Sequence, residues 1–316
     1  MNKLRVGIIG VGYLGQFHAE KYASLPNVEL VGVADPDRSR AELLAQKLST
    51  RSFPEASQLL GKVDAVSIVA PTVLHHRLAK QFLEAGIHVL LEKPITETIE
   101  QAEELIGIAH KNLLILQIGH IERYNPAFTS IKPLLKSPRY IQTERSAPFT
   151  IRCTDVNVVL DLMIHDLDIV TDVAGSKPSK LSAMGSSVIT REIDSASARI
   201  VFENGCIADV AASRVSDEKK RVIRIFDGDA LYSADYQTQK AFVSRRGIGT
   251  VPELLSSELP AERRDTLLDE VRSFISCIEN KKTPLVGGAE GRNALALARL
   301  ITNSIEQGTM EFVPFS

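Results

Sequence analysis

The segment Gly10-Val11-Gly12-Tyr13-Leu14-Gly15 directly follows the apolar run Leu4–Ile9 and opens a stretch with helical patterning. Three glycines placed this way restrict the fold more than any other feature of the chain. A strand that passes at once into a helix needs a tight turn, which the first glycine permits. The second leaves the backbone uncovered, and the third removes a side chain where helix and strand would collide. The helix N-terminus then presents N–H groups that attract an anion such as a pyrophosphate. The next strand ends at Ala34-Asp35, twenty residues after Gly15. A carboxylate there can accept from both ribose hydroxyls of an adenosine and repel a 2′-phosphate. NAD is therefore expected ahead of NADP, with Arg38 and Arg40 as the nearby groups that work the other way.

The first ~120 residues alternate short apolar runs with helical patterns, the signature of parallel βαβ units. Strands are expected at Leu4–Ile9, Val28–Ala34, Ala65–Val69, His88–Leu91 and Leu113–Ile118, and helices at Arg38–Leu48, His75–Ala85 and Ile99–His110. The runs are continuous in Val, Ile and Leu, as in a sheet covered on both faces. After Glu122 the pattern changes. A helix over Pro126–Lys136 precedes strands near Tyr140–Glu144, Lys180–Ile189, Ala196–Glu203, Cys206–Ala212, Val222–Phe226 and Ala230–Tyr236. Asn204-Gly205 predicts a type I′ hairpin. Helices over Thr266–Glu279 and Arg292–Glu306 close the chain. The expected fold class is α/β: an N-terminal parallel sheet of the Rossmann kind (1–122), then an α/β domain with a large open, mostly antiparallel sheet (123–316). A second copy of the chain is the simplest cover for that sheet's other face.

With 37 Lys and Arg against 39 Asp and Glu, the chain has no basic field for nucleic acid or an anionic membrane. The basic runs Lys219-Lys220-Arg221, Arg245-Arg246 and Arg263-Arg264 are expected to be solvated. Three cysteines, Cys153, Cys206 and Cys277, lie far apart with no metal-ligand spacing, so no metal is expected and a reducing compartment is. No apolar run has the length of a membrane span. A cytoplasmic protein is expected.

Candidate chemistry lies at the carboxyl ends of the strands, where ligands bind in open α/β sheets. One expected strand ends in Ala70-Pro71-Thr72 and the next in Glu92-Lys93-Pro94. Lys93 there can hydrogen-bond a substrate hydroxyl and stabilise developing negative charge on it. Asp161 and His165 share one helical face at i and i+4. His165 is the natural general base, and Asp161 can orient it or bind substrate. A metal set of Asp161, His165 and Asp168 would need another ligand from elsewhere. His75 is placed near the nicotinamide ribose, while His76 is read as a surface residue. Gln117 and Arg123 are expected to face the cleft, and Arg145 and Arg152 flank the segment leading to Asp161. If the substrate carries phosphate, Arg123, Arg145 and Arg152 are the candidates to hold it.

Taken in order, Gly10–Gly15, Asp35, Ala70-Pro71-Thr72, Glu92-Lys93-Pro94 and the Asp161/His165 pair resemble the glucose–fructose oxidoreductase/inositol dehydrogenase (Gfo/Idh/MocA) family over nearly the whole chain. The resemblance implies NAD(P)-dependent oxidation of a sugar hydroxyl and a catalytic set of Lys93, Asp161 and His165. It further implies cofactor contacts from Gly10, Gly12, Tyr13, Leu14, Gly15, Asp35, Ala70, Pro71, Thr72, His75, Glu92, Lys93 and Gln117. The open sheet would serve oligomerisation, as a homodimer or homotetramer. Many members carry Asn where this chain has Thr72, whose hydroxyl can still hydrogen-bond. Gly119–Ala127 and Leu160–Asp168 are similar to a bacterial branch that includes UDP-N-acetylglucosamine 3-dehydrogenases. That branch implies a nucleotide-sugar substrate oxidised at C3 and a partner aminotransferase in lipid A synthesis. A polyol such as inositol or a free aldose is the alternative substrate, and a silent NAD-binding sensor is the alternative outside catalysis.

Overall fold

The structure is a computed structural model that describes residues 3–150, 156–248, 253–308 and 313–314. The described residues form two compact units, 1–121 with 265–292 and 122–264 with 293–316.

The first unit is built from β1 (Leu4–Ile9), α1 (Tyr13–Ser24), β2 (Val28–Ala34), α2 (Arg38–Lys47), β3 (Arg51–Phe53), β4 (Ala65–Ile68), α3 (Thr72–Glu84), β5 (His88–Glu92), α4 (Ile99–Lys111) and β6 (Leu116–Gly119). All six strands run parallel in the order β3-β2-β1-β4-β5-β6, the doubly wound arrangement with its reversal between β1 and β4. Helix starts are set by side chains that compete for the first amides. Asp37 caps α2, and Thr98 with Gln101 forms a reciprocal capping box on α4. Leu113 does not begin a strand. It is exposed, takes φ +54 just after α4, and defers β6 to Leu116.

The second unit begins with α5 (Pro126–Ile131), capped by Asn125 with Pro126 at its first position. The expected continuation to Lys136 stops because Pro133 has no N–H to donate; a 3₁₀ turn over Lys132–Leu134 follows. Then come β7 (Pro138–Ser146), α6 (Ile164–Ala174), β8 (Pro178–Ser186), β9 (Ser195–Phe202), β10 (Ile207–Ser213), β11 (Lys220–Asp227), β12 (Ala230–Asp235), β13 (Lys240–Arg246) and β14 (Leu254–Leu259). The chain then gives α7 (Thr266–Asn280) to the first unit, and after α8 (Gly288–Glu306) β15 (Val313–Pro314) completes the second unit's sheet. Its nine described strands run β14-β13-β12-β11-β7-β10-β9-β8-β15, with β7 and β10 a parallel pair in an otherwise antiparallel ladder. Burial alternates strictly along β10 and β12, so one face forms the core, with Ile164, Leu167 and Val170 of α6 packed into it.

Two local expectations are corrected. The β9–β10 hairpin closes between Phe202 and Cys206, and only Gly205 (φ +84) of its loop is left-handed. It is therefore a three-residue loop with a glycine bulge, and not type I′, which needs positive φ at both central residues. Strand β8 ends at Ser186, before the expected Ile189, because Asp194 takes the amides of Val188, Ile189 and Thr190 at 2.8, 2.7 and 2.9 Å.

Candidate active site

The glycine turn has the steric character its sequence implies. Gly10 takes φ +84, and a Cβ there would lie 2.5 Å from the carbonyl oxygen of Val69. A Cβ at Gly15 would sit 1.9 Å from the carbonyl oxygen of Gly10, so only glycine lets α1 leave the sheet at this angle. Gly12 differs: a Cβ there would meet nothing closer than Arg40 Nη1 at 4.0 Å. The protein itself does not require glycine at that position; a ligand approaching the backbone would. Gly12 is also the N-cap of α1, with no side-chain cap and no acid in the first turn. An anion is the natural partner for such a helix end. Tyr13 and Leu14 beside it are exposed. An 840 Å³ cavity opens here, lined by Gly10, Gly12, Asp35, Arg40, Ala70 and Pro71 among others, and these residues fit the dinucleotide expected of them.

Asp35 lines that cavity with its carboxylate already in use. Oδ2 accepts the Val11 amide at 2.8 Å and Oδ1 the Asp37 amide at 2.9 Å. The carboxylate is thus held rigidly by two backbone donors, a role the sequence does not announce. Each oxygen keeps a second lone pair for a ribose hydroxyl. Thr72 opens α3 and is not among the cavity's lining residues.

Three expected cofactor contacts are spent on the scaffold instead. His75 is buried, with Nδ1 2.8 Å from the Pro94 carbonyl and Nε2 2.8 Å from the Ala70 carbonyl. It ties the end of β4 to the segment after β5, and burial pulls its pKa down. Gln117 is fully buried and donates from Nε2 to the Glu270 carbonyl at 3.2 Å, bracing α7 against β6. Glu92 lies under the Lys93 turn, where Oε1 meets His18 Nε2 at 3.1 Å and Oε2 accepts the Lys93 amide at 3.3 Å. His18 in turn reaches Ser67 Oγ at 2.9 Å through Nδ1. Burial works to raise the Glu92 carboxyl, but the His18 hydrogen bond and the nearby Lys93 charge outweigh it and hold it below the ordinary value. The Lys93-Pro94 peptide is cis. His76, read as a surface residue, pairs with Glu104 at 2.6 Å.

In the second unit, Asp161 and His165 do not share one α-helix. Val159–Met163 form a π turn, with the Ile164 amide bonded to the Val159 carbonyl, and α6 starts only at Ile164. Asn157 precedes the turn and accepts the Leu160 amide at 3.0 Å. Such turns recur at functional sites because they re-aim one side chain against its neighbours. The i,i+4 argument from the sequence therefore does not describe this pair.

Arg123 and Arg145 are not available to a phosphate. Arg123 grips Asp168 through Nε (2.5 Å) and Nη2 (2.8 Å), and Asp172 through Nη1 (2.7 Å). Arg145 grips Asp166 through Nε (2.8 Å) and Nη2 (2.9 Å), and Glu122 through Nη1 (3.0 Å). Burial opposes charge on both guanidinium groups, but the facing carboxylates raise their pKa values above the ordinary one. Asp168, bound to Arg123, is likewise committed and cannot complete a metal set. Arg152 and Cys153 lie outside the described residues. Arg221 is the guanidinium that sequence reading missed. Assigned to a solvated basic run, it instead lies 3.7 Å from Glu122, and burial followed by the like charge of Arg145 lowers its pKa. Asp161 is among the charges that act on it. The alternation of β11 was the available signal, since it sets Arg221 apart from Lys220 and Val222 by face.

The fold and the glycine site define an NAD-binding α/β oxidoreductase. Residues 4–120 match the family model described as "Oxidoreductase family, NAD-binding Rossmann fold", and residues 139–229 match the GFO/IDH/MocA C-terminal domain. The chain belongs to the GFO/IDH/MocA family and is an NAD-dependent enzyme of the sugar-dehydrogenase kind. It is 40% identical to the UDP-N-acetylglucosamine 3-dehydrogenase of Acidithiobacillus ferrooxidans, over 97% of this chain and 98% of that one. A solved structure of that enzyme superposes with a TM-score of 0.91 at 39% identity, covering 97% of this chain and 99% of the other. The scyllo-inositol 2-dehydrogenase (NAD(+)) of Bacillus subtilis is 25% identical over 97% of this chain and 95% of its own length.

Proposed function

We propose that this enzyme oxidises the C3 hydroxyl of a UDP-linked N-acetylhexosamine, with UDP-N-acetylglucosamine as the substrate. The observation that carries this reading is the 40% identity to the Acidithiobacillus enzyme across essentially the full length of both chains. His165 takes the hydroxyl proton, Asp161 orients His165 or the sugar, and Lys93 stabilises the negative charge that develops on oxygen. A dinucleotide held by the Gly10–Gly15 turn and Asp35 would supply the hydride acceptor, so that alcohol and NAD⁺ would give ketone, NADH and a proton. Arg221 replaces Arg123 and Arg145 as the candidate for the diphosphate. A 3-keto sugar product calls for a following aminotransferase that makes a 3-amino sugar for lipid A, and the reading includes a cytoplasmic homo-oligomer.

The test is NADH formation with UDP-N-acetylglucosamine beside myo-inositol and free hexoses, with a carbonyl trap to draw the reaction forward. Turnover of the nucleotide sugar alone, inhibited by UDP, is expected. Turnover of a polyol without UDP inhibition would assign the enzyme to the inositol dehydrogenases of its family. Lys93→Ala and His165→Ala should each lower kcat by roughly 10²–10⁴-fold. Near wild-type turnover in either variant removes that residue from the mechanism.

A further inference from the structure

Glu270 lies on the buried stripe of α7 among Leu267, Val271 and Phe274, with no solvent exposure and no hydrogen-bond partner at either carboxylate oxygen. His18 and Tyr22 face it from α1 and Glu92 from β5, and ligand atoms of His18, Glu92 and Glu270 all lie within 4.8 Å of one another. Two buried carboxylates at that separation cannot both be ionised without a cation or a proton between them. Two donors nearby are committed to Glu92, His18 Nε2 at 3.1 Å and the Lys93 amide at 3.3 Å, and the Tyr22 hydroxyl, the other buried donor that faces Glu270, makes no hydrogen bond to it. A metal would have to take His18 Nε2 away from Glu92, because Nδ1 is engaged by Ser67. That leaves a proton, and since His18 Nε2 is aimed at Glu92, it is Glu270, with no donor of its own, that needs it.

We propose that Glu270 is carried as a neutral carboxylic acid beside Glu92, and that its neutrality makes it a positioning residue for the Lys93 turn. With Glu270 uncharged, Glu92 is the one anion beneath the turn. It then holds His18 of the dinucleotide helix and the Lys93 amide together. The inference rests on the proposed role of Lys93 for its catalytic half only. Burial, and then the Glu92 charge, push the Glu270 carboxyl well above its ordinary range, while Glu92 is held below its own.

Unfolded, Glu270 releases its proton near pH 4.3; folded, it keeps it, so stability falls as pH rises from there toward the folded value. Glu270→Gln preserves shape and neutrality and cannot ionise when unfolded. The Tm difference between Glu270→Gln and wild type should therefore climb steadily in favour of the variant from pH 5 to pH 8. A variant less stable than wild type across that range, or a wild-type Tm that drops with EDTA and recovers with Zn²⁺, overturns the proposal. The catalytic half is read from kcat and KM separately. Glu270→Leu, neutral but without a polar group beside the Glu92 charge, should lower kcat roughly tenfold or more, with KM for NAD little changed. Glu270→Gln should restore kcat to near wild type. Equal kcat in the Leu and Gln variants would remove the positioning role. If Lys93→Ala retains turnover, the role of Lys93 fails, while the Tm comparison still decides the protonation of Glu270.

Discussion

Gly12 and Gly15 need to be glycine for opposite reasons, and the difference can be measured. At Gly15 the protein's own backbone would be struck by any side chain; at Gly12 nothing in the protein would be, and a bound pyrophosphate is the proposed reason for the glycine. Gly15→Ala should therefore cost the fold, seen as a large loss of Tm. Gly12→Ala should leave Tm nearly unchanged and weaken NAD binding by roughly 10–100-fold, the cost of forcing an extra methyl into a packed contact. Isothermal titration with NAD separates the two; a Gly12→Ala protein that binds NAD normally would place the pyrophosphate elsewhere. At this scale the glycine turn was legible because its motif stands in chain order. The work of Gln117, His75 and Glu92 was not. Each is a polar residue beside an apolar run, and whether it points at a ligand or at a carbonyl depends on segments far away in sequence, such as α7 for Gln117.

Among elements, the two motifs Gly119–Ala127 and Leu160–Asp168 meet in one buried lattice. Glu122 and Asp166 share Arg145, Arg123 holds Asp168, and Asn125 donates to Glu122 at 3.1 Å. Arg145→Met should cost about 3–5 kcal/mol in denaturant unfolding, because it removes the guanidinium that two buried carboxylates share. Asp194 gives a pH-dependent counterpart. Burial works to raise its carboxyl, but Thr190 and the amides of Val188, Ile189 and Thr190 hold it well below the ordinary range. Its stabilisation is complete above the unfolded value near pH 4 and is lost as pH falls through the folded one. Asp194→Asn should flatten the acid limb of a Tm–pH curve and lower Tm at neutral pH. An unchanged acid limb would mean that other carboxylates govern it. Regular strands and capped helices were readable from periodicity. The π turn before α6 was not, since one inserted residue changes no residue type. Strands β13 and β14 lack the needed contrast: β14 is mostly exposed and carries no alternation of burial.

At the scale of the whole molecule, the nine-stranded sheet buries one face and leaves the other open along Glu144, Met184, Ser197 and Ala211, which line a 560 Å³ hollow. A second copy of the chain is the proposed cover. Light scattering should give a dimer or larger, and Ala211→Arg should shift it toward monomer without lowering kcat per bound NAD; a monomeric wild type would end that proposal. The sequence by itself determined the parallel sheet, the glycine turn and the change to antiparallel strands, because each depends on residues within one or two turns of chain. Tertiary structure alone decided that α7 returns to the first unit and sets Glu270 beside Glu92 and His18. It also decided that Arg123 and Arg145 are spent on carboxylates while Arg221 is not gripped in the same way. Charges choose partners by distance in space, and in a buried setting the nearest opposite charge settles whether an arginine builds the scaffold or waits for a substrate.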